Sequence, residues 1–321
     1  MKQGKGGQLG WAEAFMTPGL GANAKLEKIE GLVKWYRFEK LLSRVHPGET
    51  GRPPYAALSM FKALLLQQWY GLLDAALEEA LNDRLSFRRF CGFTLDEATP
   101  DQSTIWRFRE ALIKAGLHDR LLAEMNLQLE RRGLLLKQGT MIDATLVAAQ
   151  AAPPSMDKGA GARSEIDEDA DWTMAKGKAQ FGYKAHVAVD QGSRLIRRAI
   201  LTSAKIAEST VADALICGDE RAVYADRAYE HKERRRRLKA LRIKDRIMHR
   251  SHKHQAGLPY WQQRRNALIM RIRANVEHIF GTMKRIYGYR RVRYFSMPRN
   301  ALHLELLCIA MNMRRAAVLL R

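Results

Sequence analysis

Cysteine is scarce in this 321-residue chain, which holds three: Cys91, Cys217 and Cys308. They lie far apart in largely apolar segments and form no CxxC pair. Neither a disulfide framework nor a cysteine-built zinc centre is therefore expected. Acidic side chains are outnumbered, 34 against 55 lysines and arginines, which leaves a formal charge of +21. So large an excess strains a compact chain unless a polyanion relieves it, and nucleic acid is the first partner to consider. A membrane surface is the competing polyanion. No apolar run reaches the roughly eighteen residues that a spanning helix needs, so no membrane partner is expected. The opening MKQGKGGQLGWAEAF is glycine-rich and lacks the apolar core of a secretory leader, and the expected location is cytoplasmic.

What the chain does have is material for a core. Hydrophobic residues make up 46% of it, and at this length two domains are expected. Residues 1–25 read as a flexible arm, and 26–135 follow a helical pattern. Ala56–Leu73, behind a break at Gly51–Pro54, is apolar enough all round to be the central helix of a bundle. Short helices are expected at Asp74–Asn82 and Ser86–Cys91. Thr99-Pro100-Asp101-Gln102 then reads as a capping box with proline at the first helical position. The helix it starts, Asp101–Ala115, puts Ser103, Thr104, Arg107 and Arg109 on its outer turns. With the short helix before it, this resembles a helix-turn-helix, although an ordinary bundle hairpin has the same pattern. Ser103, Thr104 and Arg107 are the candidate DNA contacts of this all-α N-terminal domain.

Beyond a junction at Leu134–Gly139 the pattern turns to strands, opening a second domain over 136–321. Thr140–Ala149 has strand length and composition. Residues 150–178 lack periodicity and read as a mobile loop. Gly182–Asp190 alternates, with Tyr183, Ala185, Val187 and Val189 on one face and Lys184, His186 and Ala188 on the other. Arg194–Thr202 is its hairpin partner. Helix Ala207–Cys217, strand Ala222–Ala225, helix Tyr229–Leu241 and a strand near Ile243–Met248 follow. A long helix at Tyr260–Arg285 and a last one at Asn300–Leu320 complete the chain. Strand, hairpin, then alternating helix and strand predict an α/β fold. It is a ribonuclease-H-like mixed sheet flanked by helices, preceded by the all-α domain.

Three carboxylates stand out within this pattern. Asp143 sits inside the apolar run TMIDATLVAA, where an unpaired charge costs several kcal/mol and so requires a partner. Asp226 ends the apolar run AVYA. Glu277 lies on the long helix with Arg273 and Lys284 at offsets that share one stripe, while Leu268, Ile272, Val276, Ile279 and Met283 form a separate apolar stripe. Taken alone, that stripe of one acid and two bases reads as intrahelical ion pairs on a solvated surface. Carboxylates converging from separate elements are what two-metal phosphodiester cleavage requires, with basic side chains beside them to hold phosphates. The basic run Lys232–Arg237 and the histidines of HRSHKH (249–254) read as solvated or DNA-backbone-contacting surfaces.

The segments MIDATLV, FGYKAHVAVD, VYADRAYE and RIRANVEHIFGTMKR resemble bacterial insertion-sequence DDE transposases of insertion-sequence family five. RPPYAALSMFKALLLQQWYGL and TPDQSTIWRFR resemble the helical N-terminal domain of the same proteins. The resemblance implies an acidic triad of Asp143, Asp226 and Glu277 that is both catalytic and metal-binding, with Mg²⁺ as cofactor and Mn²⁺ as a substitute. Arg273 and Lys284 match the signature around the last acid, and Met270 stands where a tyrosine is usual. Tyr229 matches the tyrosine that follows the second acid by three. Lys205, Ala207 and Glu208 replace the family's Asn-x-His-Asp. Arg273, Lys284, Tyr229 and Lys184 are the candidate DNA and phosphate contacts here, with His186, on the hairpin strand beside Asp143's strand, read either as a further phosphate contact or as a packed surface histidine. The implied activity is binding of terminal inverted repeats, cleavage at the element's ends and joining of the 3′-hydroxyls to target DNA. A homodimer or higher assembly on double-stranded DNA, associated with the nucleoid, follows from it. The alternative is a catalytically idle, repressor-like DNA-binding protein descended from a transposase.

Overall fold

The structure, a computed structural model, describes residues 19–45, 55–153, 164–175, 177–251 and 257–320. The arm expected over 1–25 lies mostly outside the described residues, as does the Gly51–Pro54 break. The chain divides into two compact units, Met1–Gln128 with Ile309–Arg321, and Leu129–Cys308. Residues 309–321, which the sequence reading placed in the second domain, thus cluster with the helical unit.

The helical unit contains α1 (Ala24–Leu32), α2 (Trp35–Leu42), α3 (Ala57–Tyr70), α4 (Asp74–Asp83), α5 (Leu85–Cys91), α6 (Gln102–Lys114) and most of α7 (Arg120–Arg131). Ten consecutive residues of α3, Ser59 to Gln68, are buried, as a helix apolar on all sides should be. Phe38 and Phe61 stack in this core with centroids 5.2 Å apart. Two of the polar side chains caught there are paired: Lys62 meets Glu30 at 2.8 Å, and Gln67 donates to Asp74 at 2.6 Å. α3 ends at Gly71, whose φ of +67° supplies the left-handed cap.

Two expectations about α6 are corrected. Its N-cap is Asp101, which accepts from the Thr104 amide at 2.6 Å, so Pro100 precedes the helix and Thr99 bonds elsewhere, to Asn82. Arg109 is not on an outer turn. It is 1% exposed and forks onto both oxygens of Asp74, at 2.7 and 3.1 Å. The link between α5 and α6 spans residues 92–101, longer than the three-to-four-residue turn of a helix-turn-helix.

The second unit is built on a six-stranded mixed sheet: β1 (Thr140–Ala148), β2 (Asp171–Ala175), β3 (Lys178–Asp190), β4 (Ile196–Ser203), β5 (Ala222–Ala225) and β6 (Lys244–Ile247). The order is β2-β3-β1-β5-β6, with β4 on β3. The β1–β3 and β3–β4 pairs are antiparallel, and β1–β5 and β5–β6 are parallel. This is the ribonuclease-H-like arrangement. β2 corrects the loop expected over 150–178, since five of those residues pair with β3; residues 154–163 and 176 lie outside the described ones. Gly182 marks where β3 changes partner from β2 to β4. Its φ is +151°, and a Cβ there would come within 2.3 Å of the Val147 carbonyl oxygen, so no other residue fits.

Helices cover both faces. Ile142, Ala188, Val223 and Ala225 pack with residues of α8 (Glu208–Leu215) and α9 (Lys232–Ala240) in one buried cluster. The long α10 (Tyr260–Arg285) buries Val276 and Met283 of the stripe read from the sequence, together with Ile269 and Phe280, while Leu268 is exposed. The last helix, α11, spans Met297–Leu319.

The Arg109–Asp74 pair yields a stability prediction. Removing one member of a largely buried pair leaves the other charge unmatched, at a cost of about 3 kcal/mol. Arg109→Ala should lower the urea midpoint accordingly, with the m-value unchanged. A loss near zero would show that the pair contributes nothing to folding.

Candidate active site

β1 and β5 run parallel with Met141 opposite Tyr224. Asp143 and Asp226 each lie two residues further on, so register sets them side by side at the carboxyl ends of neighbouring strands. In open α/β sheets this is where ligands bind. The Asp143 carboxylate accepts from the Ala144 amide at 3.0 Å, and that of Asp226 caps a short 3₁₀ turn, Arg227–Tyr229. Arg273, reaching down from α10, joins the two acids. Its Nη1 is 2.7 Å from Asp143 Oδ2 and its Nη2 is 3.8 Å from Asp226 Oδ2.

A third carboxylate feels this pair. Glu208, at the start of α8, lies close enough to Asp143 and Asp226 for its charge to act on both, and close to Lys184 and Tyr229. Burial raises the Glu208 carboxyl above its usual range, more than Lys184 and Arg273 lower it. Asp143 is pushed up to about 6, chiefly by desolvation, against the pull of Arg273; Glu208 and Asp226 add to the rise. The site is short of positive charge even with Arg273 in place. The Tyr229 hydroxyl is buried here beside Glu208, and burial raises its pKa.

The remaining candidates are less close. Glu277 is exposed on α10, one turn beyond Arg273. Among the described residues the ligand atoms of Asp143, Asp226 and Glu277 do not all lie within 4.8 Å of one another. The one described group of possible ligands within 4.8 Å of one another is Cys217, Asp219 and Glu220. There Arg197 and Lys137 supply the positive charge, and Glu220 accepts from three backbone amides, so that group is structural. Lys284 donates to the Leu146 carbonyl at 2.9 Å, and burial lowers its pKa. Lys184 donates to the Ile206 carbonyl, also at 2.9 Å.

His186 is a correction. It pairs with Ala144, one residue off the Asp143 position and therefore on the opposite face of the sheet. The side chain is 0% exposed, with Nε2 2.9 Å from Thr202 Oγ1, and burial holds its pKa down at about 4. A neutral, enclosed imidazole does not contact phosphate. The basic run on α9 is likewise spoken for: Arg234 meets Asp213, Arg235 meets Glu230 and Asp245, Arg236 meets Glu233, and Arg237 lies 3.8 Å from Asp213. His249 packs against Trp261, while His252 and His254 lie outside the described residues. In the helical unit Ser103 and Arg107 are exposed and Thr104 half-buried; Arg107 donates to Ser103 and Thr104 within its own helix.

Comparison with known proteins decides the family. The model of the family described as "Transposase DDE domain" matches residues 135–313, more than half of the chain. The chain belongs to this transposase family. A second model, "Transposase domain (DUF772)", matches residues 19–111 of the same transposase, within the helical unit. One solved structure aligns with 92% of this chain and 72% of its own at 10% identity, with a TM-score of 0.45. Its title is "Cryo-EM structure of piggyBac transposase synaptic complex with hairpin DNA (SNHP)".

The transposase's carboxylate cluster should show itself in the pH dependence of stability. The Asp143 pKa is raised from 3.8 to about 6 on folding. A raised folded pKa means the stability is fully present below the unfolded value and is lost as pH climbs through the folded one, here by up to about 3 kcal/mol by pH 7. Asp143→Asn does not titrate. In metal-free buffer its stability relative to wild type should therefore improve by about 2–3 kcal/mol between pH 4 and pH 7. A difference that stays flat across that window would show that Asp143 is not desolvated.

Proposed function

We propose that this transposase is an insertion-sequence enzyme of family five. It binds the terminal inverted repeats of its element, cleaves DNA at the ends and joins the freed 3′-hydroxyls to target DNA. The observation that carries this reading is the pair Asp143–Asp226, set side by side by strand register and sharing a single guanidinium, with Asp143 desolvated. Oxygen-only donors on separate elements, with too little positive charge among them, fit hard divalent cations such as Mg²⁺, with Mn²⁺ as a substitute. Asp143, Asp226 and Glu277 would hold the metal, with Glu208 beside them. When bound, the metal polarises the phosphoryl group and lowers the pKa of the attacking hydroxyl.

The chain's own residues do the rest. Arg273 orients both aspartates and is placed to meet a phosphate oxygen once a cation takes over their charge. Buried Tyr229 and the neighbouring apolar cluster keep water off one side of the acids. Lys284, tied to the β1 backbone, fixes the helix that carries Glu277. No protein nucleophile is needed in either step, so no covalent enzyme–DNA intermediate forms. Two ends cut and joined together require at least a dimer. Ser103, Thr104 and Arg107 present donors on the first turns of α6 for DNA contact.

The test is nicking of a supercoiled plasmid carrying the element's ends, with Mg²⁺ or Mn²⁺. Asp143→Asn, Asp226→Asn and Glu277→Gln should each reduce it by on the order of 10² or more, the scale for losing one preorganised electrostatic partner. Binding of the ends without nicking by wild type would leave the idle DNA-binding protein as the correct reading.

A further inference from the structure

Beside the carboxylates lies a second surface that the cleavage reading does not use. A groove of about 640 Å³ is lined by Tyr224 of β5, Arg246 of β6 and the first half of α10, including Tyr260, Trp261, Leu268 and Arg271. Three of its aromatic and apolar members face solvent: Tyr260 is 77% exposed, Trp261 60% and Leu268 56%. Large apolar side chains left open together mark an interaction surface. The arginines explain which kind. Arg265 is fixed on the carbonyls of Asp245 and Ile247, but Arg246, Arg264 and Arg271 are exposed and make no ion pair among the described residues. The α9 arginines, by contrast, all have carboxylate partners.

We propose that this groove binds unpaired nucleotides of a DNA strand, their bases stacking on Tyr260 and Trp261 and their phosphates meeting Arg246, Arg264 and Arg271. Flat apolar rings alternating with free guanidiniums suit bases and phosphates respectively. A second copy of the chain fits poorly, because a two-fold interface would bring the same three cations against each other. The groove also runs into the acidic site. Tyr224 lies two residues before Asp226 on one strand, and Ile269, also in the groove lining, lies one helical turn before Arg273 on α10. A strand seated there leads to the phosphate held at the carboxylates. The proposal deepens the transposase reading and rests on it for the source of the single strand.

The experiment measures binding of the full chain to a short fluorescein-labelled oligothymidylate and to an abasic strand of equal length, without divalent metal. Wild type should prefer the oligothymidylate. Trp261→Ala should lose about tenfold or more in affinity for it and little for the abasic strand, while Trp261→Phe stays within about twofold of wild type. Arg246→Ala with Arg271→Ala should weaken both probes and flatten the salt dependence. Equal binding of the two probes by wild type, or no loss in Trp261→Ala, overturns the proposal. So does a shift in oligomeric state in Trp261→Ala with affinity unchanged, which would assign the groove to a second copy. None of these readouts requires catalysis. A wild type that fails to nick the plasmid but keeps its base preference refutes the cleavage reading and leaves the groove standing.

Discussion

One guanidinium governs the second unit's chemistry. Arg273 is the contact that lets two carboxylates stand at adjacent strand ends inside a partly dry crevice, and it is not enough. Desolvation outweighs its pull and leaves Asp143 with a pKa pushed up to about 6, with the Glu208 and Asp226 charges adding to the rise. A protein selected only for stability would replace one of these acids or add a second cation, because desolvated charge without a partner is costly. Retaining the deficit makes sense where a mobile cation completes the site.

The same accounting separates working charge from structural charge across the chain. The formal +21 suggests a surface open everywhere to a polyanion, yet much of the basic content is engaged internally. Arg109 is buried on Asp74, Arg197 on Asp219 and Glu220, and Arg234 and Arg235 on Asp213, Asp245 and Glu230. Arg246, Arg264 and Arg271, exposed and without an ion pair among the described residues, lie on β6 and α10, next to the acids. Distribution, more than net charge, points to where a nucleic acid lies.

The sequence made the architecture legible because its signals are local. The all-apolar α3, the alternation of β3 and the 26-residue α10 follow from residue periods alone, and α10 begins and ends where the sequence placed it. Asp143 was visible for the same reason, a charge inside an apolar strand. Partners distant in sequence were not visible. A helical wheel puts Arg109 outside because it knows nothing of Asp74, 35 residues earlier. Within Lys232–Arg237, Arg234 and Arg235 depart from the solvated reading because their carboxylates come from α8, β6 and a loop, while Lys232, Arg236 and Arg237 are exposed as read. β2 escaped notice because a five-residue, half-buried edge strand in an Asp- and Ala-rich stretch has no clear alternation. Glu208 stood out only as a replaced position in a family motif, and its place beside Asp143 and Asp226 reveals more. His186 lacked any sequence signal for which sheet face it takes, since both faces of β3 are covered.

The meeting of Asp143 and Asp226 hangs on very little backbone. β5 is four residues long and is matched to β1 at two positions, Thr140 with Val223 and Met141 with Tyr224. Side chains on a strand reverse direction at every step, so one residue gained or lost between Val223 and Asp226 would turn the second acid to the other face of the sheet. Substitution within AVYA can be absorbed by packing, but a change of length cannot. Across the history of such a chain, gaps should therefore accumulate freely in the connections before β5 and be purged from these four positions.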